Sequence, residues 1–457
     1  MQKVLIANRG EIAVRVVRAC HDLGLETVAV YSDIDSEALH VLHAAEAICV
    51  GEAPSHKSYL KIPNILSACE ITGADAIHPG YGFLSENANF ASVCESSGIN
   101  FIGPSWQAIS ALGDKARAKE IAKKAQVPVI PGSDGVVTNA KEALLSAKKI
   151  GFPVFIKATA GGGGRGIRIA HNEEEFSRLF LSARAEAETN FGNPDVYLEK
   201  MIAGPRHIEV QIIGDKFGNL VHLGERDCTI QRRRQKMIEE APSPILTPEL
   251  RAEIGDAALR IAKEAGYYSV GTVEFLLDKD GKYYFMEVNT RIQVEHTVTE
   301  ELTGIDLVRE QIRVAMGEKL SFEQKDIVFR GHVMQFRINA EDPEQNFAPS
   351  PGRLEYYVPP GGPHIRVDSA CYSGYSIPPN YDSMIAKLIV KGHTRHGALA
   401  TARRALREFH IGGVKTTLPF HLDIIDHEQF LSNDYDLNYV DDLVEKGHQF
   451  KSKKKEE

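Results

Sequence analysis

The sequence predicts a multidomain protein of the α/β and α+β classes, and three observations support this prediction. The chain has 457 residues, which is too long for one ordinary hydrophobic core. Its first hundred residues alternate between strand-like and helix-like segments. A stretch rich in proline and glycine follows at residues 127–133, and a long region of mixed pattern then extends to about residue 446.

The first hundred residues predict parallel β-α-β units. Strands are expected at residues 4–7, 27–31, 76–78 and around Phe101, and helices at residues 11–23, 59–69 and 90–95. The turn after the first strand lacks the G-x-G-x-x-G pattern of dinucleotide-binding proteins. We therefore expect a Rossmann-like domain that does not hold NAD.

A smaller segment follows the proline- and glycine-rich stretch. It has an expected helix at residues 140–149, strands at 153–157 and 196–200, and a glycine-rich run at 161–166. A flexible surface loop is the ordinary interpretation of such a run. Lys157 immediately precedes it at a strand end, which favours contact with phosphate, because backbone N–H groups near glycine approach anions closely. Further helices are expected at 248–265 and 396–409.

Composition and charge exclude several classes of protein. The chain has 53 basic and 62 acidic residues and a formal charge of −9, which gives no general reason to bind nucleic acid. No apolar run is long enough to span a membrane, and the N-terminus lacks the pattern of a signal peptide. Six scattered cysteines without a C-x-x-C pair indicate reduced thiols. We expect a soluble, cytoplasmic protein.

Residues 271–289 contain two β-rich runs on either side of Asp280-Gly281, a dipeptide typical of two-residue hairpin turns. With such a turn, Glu274 lies directly opposite Glu287 on one face of the hairpin. The same register pairs residues of the other, apolar face: Phe275 with Met286, and Val273 with Val288.

Two opposed carboxylates, about 5 Å apart at Cβ, repel each other unless a proton or a cation lies between them. Oxygen ligands favour Mg²⁺ or Mn²⁺ over zinc. A solvated hairpin face with opposed charges is the alternative interpretation. The metal is favoured because Asn289, Arg291, Gln293 and Glu295 continue at a period of two, a row too polar for a core strand.

Three other segments have polar residues suited to an anionic nucleotide. Residues 225–236 form a dense basic cluster. A solvated loop or a nucleic-acid-binding patch is one interpretation of this cluster, and a second wall of the substrate site, facing the acidic strand, is the other. Glu199 and Lys200 end a strand, where backbone groups are placed to meet an adenine edge. Arg337 lies in an alternating strand, where an ion pair flanking the core is the alternative role.

Taken together, the motifs of this chain closely resemble the biotin carboxylase component of acetyl-CoA carboxylase, a family of the ATP-grasp superfamily. The matching stretches are residues 6–13, 78–87, 161–166, 225–236, 286–296, 337–342 and 378–384. They are long and specific, and the similarity extends over essentially the whole chain. The resemblance implies a Rossmann-like N-terminal domain, a mobile ATP-grasp lid and a mixed-sheet C-terminal domain.

The resemblance also implies a reaction in which MgATP phosphorylates bicarbonate, and carboxyphosphate then carboxylates N1′ of biotin. The implied ATP-binding residues are Lys115, Lys157, Gly163, Gly164, Glu199, Lys200, His207, Gln231 and Leu276. The implied metal ligands are Glu274, Glu287 and Asn289. The implied bicarbonate-binding residues are Lys236, Arg291, Gln293 and the backbone of Val294. The implied biotin-binding residues are Tyr81, Gly82 and Arg337. The implied catalytic residues are Glu295 as general base, Arg337 as stabiliser of the biotin enolate, Lys236 and Arg291.

The expected boundaries follow from the same motifs. They are 1–113 for the N-terminal domain, 114–131 for a connecting segment, 132–203 for the lid, 204–330 for the catalytic part, 331–446 for the C-terminal domain and 447–457 for a charged tail. Arg234 and Asn438 stand where some relatives have histidine, and both would alter the rim of the nucleotide site.

No Ala-Met-Lys-Met biotinylation motif occurs, so biotin is expected on a separate carrier protein, with carboxyltransferase as another subunit. A homodimer through the region of Arg15 and Arg366 is also implied. The carboxylase subunit of a split pyruvate or other acyl-CoA carboxylase is the alternative, because the half-reaction is the same. Another ATP-grasp ligase or an inactive ATP-binding scaffold fits the biotin-side motifs less well.

Overall fold

The structure is a computed structural model that describes residues 1–158 and 167–450. The glycine-rich run at 161–166, with the predicted ATP contacts Gly163 and Gly164, lies outside the described residues, as do the last seven residues of the tail. Within the described ranges, no helix combines the length and the apolar character needed to cross a membrane.

The N-terminal region forms a five-stranded parallel sheet in the order β3-β2-β1-β4-β5. Its elements are β1 Lys3–Ile6, α1 Gly10–Asp22, β2 Glu26–Ser32, α2 Leu39–His43, β3 Glu46–Gly51, α3 Ile62–Thr72, β4 Ala76–His78, α4 Ala88–Ser96 and β5 Asn100–Phe101. The predicted parallel β-α-β arrangement is confirmed. Strand β3 was not predicted, because it is an edge strand and most of its side chains are partly or fully exposed. Helix α3 begins later than expected, since Pro63 occupies its first turn.

A connecting pair of helices and a small lid follow. The elements are α5 Trp106–Gly113, α6 Lys115–Lys124, α7 Ala140–Ile150, β6 Val154–Ala158, β7 Ile167–Ala170, α8 Glu173–Phe191 and β8 Val196–Lys200. The lid strands form an antiparallel sheet in the order β7-β6-β8. Phe176 and Phe180 of α8 pack with Val154, Ile156 and Leu198 of the sheet, which gives the lid its own hydrophobic core.

The largest element is an eight-stranded antiparallel sheet in the order β13-β12-β9-β10-β11-β14-β21-β19. Its central strands and their helices are β9 Arg206–Gly214, β10 Leu220–Arg232, β11 Gln235–Ala241, α9 Pro248–Glu264, β12 Ser269–Leu277, β13 Tyr283–Asn289, α10 His296–Thr303 and α11 Leu307–Ala315. The sheet continues past residue 330, so the expected catalytic and C-terminal regions share one sheet.

The remaining elements complete the C-terminal region. They are β14 His332–Asn339, β15 Glu341–Asp342, β16 Ala348–Pro349, β17 Gly352–Arg353, β18 Tyr356–Val358, β19 Ile365–Ser369, β20 Ser376–Ile377, β21 Met384–Gly392, α12 Arg395–Glu408, β22 His410–Gly412, α13 Leu418–Ile424, α14 Glu428–Ser432 and α15 Tyr439–Glu445. Helices α12 and α13 cover β14 and β21 around a core that includes Phe336, Leu388 and Phe420.

The hairpin of β12 and β13 confirms one predicted pair and corrects another. Glu274 lies opposite Glu287, as predicted, but Phe275 pairs with Phe285 and not with Met286. The turn has three residues between Asp278 and Lys282 and contains Gly281 at φ +79°. A bulge at Met286 then adds one residue to β13. The longer turn and the bulge shift the register in opposite directions, so the two glutamates still meet.

Candidate active site

Four side chains form a row across β13, β12, β9 and β10. In the sheet register Glu287 lies opposite Glu274, Glu274 opposite Glu209, and Glu209 opposite Arg226. Paired residues point to the same face of a sheet, so three carboxylates and one guanidinium stand side by side. Glu209 and Arg226 are completely buried. The row extends the predicted pair of glutamates to two further buried charges.

Lys236 lies at the centre of the site. Its ammonium donates hydrogen bonds to Glu209 Oε2 at 2.5 Å, Glu274 Oε1 at 3.0 Å and Glu295 Oε1 at 2.6 Å. Burial lowers the pKa of Lys236, but these three carboxylates raise it well above its ordinary value. The lysine therefore stays charged, and it joins the predicted metal ligand Glu274 to the predicted base Glu295.

The two glutamates of the hairpin suit a divalent cation. Burial raises the pKa of Glu274, but Lys236 and His207 outweigh it and hold that pKa well below its usual value. Burial and the charge of Glu274 raise the pKa of Glu287. Among the described residues, no hydrogen-bond donor or ion-pair partner contacts the Glu287 carboxylate. Glu274 is therefore ionised, and Glu287 beside it has no cationic partner among the described residues. This arrangement suits an ion that binds oxygen ligands, such as Mg²⁺.

Asn289 and Gln293 support Glu274 from the same segment. The side-chain amide of Asn289 donates to Glu274 Oε1 at 2.9 Å, and that of Gln293 donates to the same oxygen at 2.8 Å. The Asn289 carbonyl oxygen accepts a hydrogen bond from Arg291 at 2.9 Å. Asn289 therefore orients the carboxylate of Glu274, a predicted metal ligand, and its own oxygen faces Arg291.

Arg226 organises the base of the site. It donates hydrogen bonds to five buried side chains, which are Glu209, Gln211, Thr272, Gln293 and Thr299. The basic cluster at 225–236 was predicted to form a wall facing an anionic substrate. Arg226 lies within the acidic row itself and is completely buried, so it does not form an exposed wall facing that row. Among the described members of this cluster, two cations contact the acidic row: Arg226 contacts Glu209, and Lys236 contacts Glu209 and Glu274.

Arg337 lies between two buried carboxylates. Its Nε donates to Glu239 Oε1 at 2.6 Å, and one NH₂ group donates to Glu295 Oε2 at 2.9 Å. Burial and Glu209 raise the pKa of Glu295, but Lys236 and Arg337 lower it below its ordinary value. Burial raises the pKa of Glu239 in spite of Arg337. Glu295 is thus ionised and is held by two cations, Lys236 and Arg337.

His207 faces Glu274 from β9. The side-chain amide of Gln231 lies 2.9 Å from His207 Nδ1 and also donates to the Cys228 carbonyl at 2.7 Å. Since that amide nitrogen is a donor, Nδ1 accepts, and the ring proton is on Nε2, 3.0 Å from Glu274 Oε2. His207 and Gln231, both predicted to contact ATP, are therefore in contact with each other beside Glu274.

Two predicted nucleotide residues of the lid, Lys157 and Glu199, belong to one ion-pair cluster. The carboxylate of Glu199 accepts hydrogen bonds from Lys157 and from Lys119 of α6. Lys200 is arranged differently: its ammonium donates to the carbonyls of Gly151 and Phe152, at 2.7 and 3.0 Å. Its backbone N–H donates to a carbonyl of the segment before the lid. The backbone amide of Lys200 is therefore not free to meet an adenine edge.

Two other predicted ATP residues lie near Glu274 and Glu287. Lys115 is the first residue of α6, and its charge is among those that act to lower the pKa of Glu287. Leu276 is half-buried on β12, two residues beyond Glu274 and thus on the same face. Both lie near the acidic row, one as a cation and one as an apolar surface.

The predicted bicarbonate residues follow β13. The Arg291 guanidinium forms an ion pair at 3.0 Å with Glu86 of the N-terminal region. It therefore connects the segment after β13 to the N-terminal region. Gln293 accepts from Arg226 while it donates to Glu274. The carbonyl of Val294 accepts a hydrogen bond from the buried ammonium of Lys387 at 3.1 Å.

The predicted biotin residues Tyr81 and Gly82 belong to a turn of the N-terminal region. Asn8 donates to the Tyr81 carbonyl at 2.7 Å, and the Tyr81 hydroxyl donates to Glu11. Gly82 has φ +69°, in the left-handed region that favours glycine. Burial and Glu11 raise the pKa of Tyr81 well above its usual value, so the phenol keeps its proton.

The site therefore combines an acidic row for a cation with charged groups for an anion. Lys236 and Arg337 hold the ionised Glu295, which can accept a proton from a bound acid. A bound Mg²⁺ would supply charge neutralisation for the phosphates of ATP at Glu274 and Glu287. Glu209 is a buried member of the site that the sequence did not single out, although His207, Glu209 and Gln211 repeat at a period of two in β9.

Three family models match consecutive parts of the chain. Residues 1–109 match "Biotin carboxylase, N-terminal domain", residues 114–323 match "Carbamoyl-phosphate synthase L chain, ATP binding domain", and residues 335–442 match "Biotin carboxylase C-terminal domain". Together they cover the regions that supply the site.

Individual relatives are similar over nearly their full length. "Biotin carboxylase 1" of Bacillus subtilis is 56% identical over 442 residues, covering 96% of this chain and 98% of the relative. A pyruvate carboxylase subunit from Methanothermobacter thermautotrophicus is 53% identical over 440 residues, covering 96% of this chain and 89% of the relative.

Solved structures show the same fold. A biotin carboxylase complex from Campylobacter jejuni is 49% identical with a TM-score of 0.91, over 96% of this chain and 98% of that one. The biotin carboxylase domain dimer of 2-oxoglutarate carboxylase from Hydrogenobacter thermophilus, in complex with MgADP, ADP and bicarbonate, is 52% identical with a TM-score of 0.91 over 99% of both chains. The chain therefore belongs to the biotin carboxylase family and is an ATP-grasp enzyme of that family.

Proposed function

We propose that this enzyme carboxylates biotin on a separate carrier protein, as the first half-reaction of acetyl-CoA carboxylase, in the cytoplasm. The observation that supports the proposal is the shared contact of Lys236 with Glu274 and Glu295. One ammonium joins the predicted magnesium site to the predicted base for bicarbonate. Phosphoryl transfer needs ATP and bicarbonate side by side, and this arrangement brings their binding groups within one cluster.

The proposed first step uses Glu295 as general base. Bicarbonate attacks the γ-phosphorus of ATP, its proton passes to Glu295, and the bond to ADP breaks to give carboxyphosphate. Lys236 and Arg291 would neutralise the bicarbonate charge, and Glu274 and Glu287 would hold the magnesium ion. The lysines of the lid cluster would neutralise phosphate oxygens once they release Glu199.

The proposed second step uses Arg337. The bond between the carboxyl carbon and the phosphate oxygen of carboxyphosphate breaks, and the departing phosphate takes up the N1′ proton of biotin. The biotin then carries enolate charge on the ureido oxygen, and its N1′ forms the new bond to the carboxyl carbon. The Arg337 guanidinium would stabilise that charge from its place beside Glu295. Tyr81 and Gly82 would line the biotin pocket on the opposite, N-terminal side.

Bicarbonate-dependent ATP hydrolysis, measured with and without free biotin, tests the reaction. We expect hydrolysis to require bicarbonate and Mg²⁺ or Mn²⁺ and to accelerate when biotin is added. Labelled bicarbonate should also appear in acid-labile carboxybiotin. ATP hydrolysis that is independent of both bicarbonate and biotin would contradict the proposal.

The second candidate function differs from the first in the molecule that finally accepts the carboxyl group. Relatives named as subunits of pyruvate and 2-oxoglutarate carboxylases share 53% of their residues with this chain, so the keto acids are alternative acceptors. The test is to capture the biotinylated carrier and its carboxyltransferase from the source cells with the tagged enzyme. Transfer of label to acetyl-CoA supports the first candidate, and transfer to pyruvate or 2-oxoglutarate supports the second.

We also propose that the enzyme acts as a homodimer through the region of Arg15 and Arg366. Both arginines contact Glu300, Arg15 at 2.9 Å and Arg366 at 2.8 Å, so they form one charged cluster. A solved relative is described as a dimer of the corresponding domain. Sedimentation equilibrium should give about twice the chain mass of 50.4 kDa. A monomer at micromolar concentration would contradict this proposal.

A further inference from the structure

The ammonium of Lys387 is completely buried, yet none of the steps above uses it. It lies on β21, in register with Arg337 of β14, so the two cations share one face of the sheet. Its Nζ lies 2.9 Å from Glu11 Oε2 and donates to the Val294 carbonyl at 3.1 Å. A buried charge is costly unless it is paired, so this placement requires a reason.

Glu11 connects Lys387 to the N-terminal region. It lies in the first turn of α1, and its other carboxylate oxygen accepts the hydrogen bond from the Tyr81 hydroxyl. One carboxylate thus contacts both the lysine and the tyrosine. The chain of contacts runs from Tyr81 through Glu11 and Lys387 to the peptide of Val294.

The peptide of Val294 is held on both sides. The preceding carbonyl, of Gln293, accepts a hydrogen bond from His296 Nδ1 at 2.7 Å, and the carbonyl of Val294 accepts the one from Lys387. These contacts fix the direction of the backbone between Gln293 and Glu295. Any movement of Lys387 would therefore turn the segment proposed to hold bicarbonate.

We propose that Lys387 and Glu11 are positioning residues that link the biotin pocket to the bicarbonate segment. The inference rests on the proposed function of Tyr81 and of Val294. Through this link, biotin bound against Tyr81 would favour the orientation of the Val294 peptide that seats bicarbonate. Binding at one site then raises affinity at the other, and the effect must be reciprocal.

The test compares Lys387→Met, Glu11→Gln and the double variant with the unmodified enzyme. The measurements are the KM values for bicarbonate, biotin and ATP, and the factor by which biotin accelerates bicarbonate-dependent ATP hydrolysis. We expect each single variant to raise the KM for bicarbonate and to reduce the acceleration factor about tenfold, a size typical of coupling between sites. The KM for ATP should change much less.

The double variant separates coupling from simple loss of stability. It removes both charges, so it should fold even if Lys387→Met alone does not. If the two residues act as a unit, the double variant should lose no more of the acceleration than either single variant. If the double variant instead loses as much of the acceleration as the two single variants combined, the proposal is overturned.

Arg395→Met provides a matched control. Arg395 contacts Glu240 at 2.8 Å. Glu240 and Glu239 are consecutive residues of β11, so Glu240 points to the face of the sheet opposite to that of Glu239. This control should lose stability but keep the bicarbonate KM and the acceleration factor. Lys387 and Glu11 variants that behave like it would contradict the link. An unmodified enzyme without bicarbonate-dependent hydrolysis would instead contradict the proposed function.

Discussion

Carboxylates outnumber cations in the cluster around Lys236. The carboxylates of the cluster are Glu209, Glu239, Glu274, Glu287 and Glu295, and its cations are Arg226, Lys236 and Arg337. Burial raises the pKa values of Glu239 and Glu287, and neighbouring carboxylates, Glu295 and Glu274 respectively, raise them further, which reflects this excess negative charge. A divalent cation would remove it, and we expect the protein to be more stable with Mg²⁺ than without it.

The substitution Glu287→Gln tests the role of the hairpin. It should weaken Mg²⁺ affinity by about tenfold or more and reduce phosphoryl transfer accordingly. A carboxyl whose pKa is raised by folding favours the folded state at low pH and costs stability once it ionises. At pH 8 without metal, the variant should therefore melt no lower than the unmodified enzyme. Normal biotin-dependent ATP turnover in this variant would show that Glu287 is not a metal ligand.

Glu295→Gln and Arg337→Ala should differ in which step they slow. Glu295→Gln should reduce both bicarbonate-dependent ATP hydrolysis and carboxybiotin formation by about a hundredfold or more, because the base is needed first. Arg337→Ala should reduce carboxybiotin formation more than ATP hydrolysis. The two rates are measured in one assay with labelled bicarbonate. Equal losses in Arg337→Ala would count against its enolate role, and an unaffected Glu295→Gln would exclude that residue as the base.

Sequence patterns predicted candidate residues for the site but not the contacts between them. The period of two from Asn289 to Glu295 indicated a polar row without reference to any other part of the chain. Glu209 and Arg226 could not be placed in this way, because their neighbours are set by the order of strands in the sheet. Strand order depends on contacts between residues that are distant along the chain, which local patterns do not encode.

Among the elements, the β12–β13 hairpin shows how a correct pairing arose from an incorrect turn. The Asp280-Gly281 signal predicted a two-residue turn, but the Asp278 side chain accepts hydrogen bonds from the N–H groups of Asp280 and Lys282. These bonds favour the three-residue turn, which places Gly281 at positive φ. The three pairs nearest the turn, from Leu277–Tyr283 to Phe275–Phe285, are therefore shifted from the predicted register. The bulge at Met286 restores the predicted register from Glu274–Glu287 onward.

Gly281→Ala tests whether the turn or the bulge aligns the glutamates. Alanine at φ +79° is strained, so we expect a loss of about 1 kcal/mol in the free energy of unfolding. The affinity for MgATP should stay unchanged, because the bulge lies between the turn and Glu287. Gly281→Asn is the matched control, since asparagine tolerates this backbone conformation better. Weaker MgATP binding in the alanine variant would show that the turn also sets the site.

Considered as a whole, the molecule is held together across its regions by buried ion pairs that titrate in acid. Burial raises the pKa of Glu240, but contacts with His332 and Arg395 lower it to about 2. Burial likewise raises the pKa of Glu300, and Arg15 is the first of the groups that lower it to about 2. Both values are well below the ordinary glutamate pKa of about 4.3.

Stability should therefore fall in acid. A carboxyl with a lowered pKa binds fewer protons in the folded than in the unfolded state, so its contribution is fully present above about pH 5 and is lost as pH falls toward 2. Each such glutamate should contribute on the order of 2 kcal/mol. Urea unfolding at pH 7, 5, 4 and 3 measures the effect. Glu240→Gln should be less stable at pH 7 but show a smaller decrease below pH 5, and an unchanged decrease would contradict this assignment.

The pairing of Glu11 with Lys387 has a consequence for the inheritance of this chain. One charge lies in the first helix and the other in a late strand of the large sheet, yet removal of either alone leaves the other charge in the interior without its nearest partner, at a cost of about 3–5 kcal/mol. Recombination that replaced the N-terminal region but kept the C-terminal region would incur that cost whenever the donor lacked the glutamate. We therefore expect the two flanks to descend together.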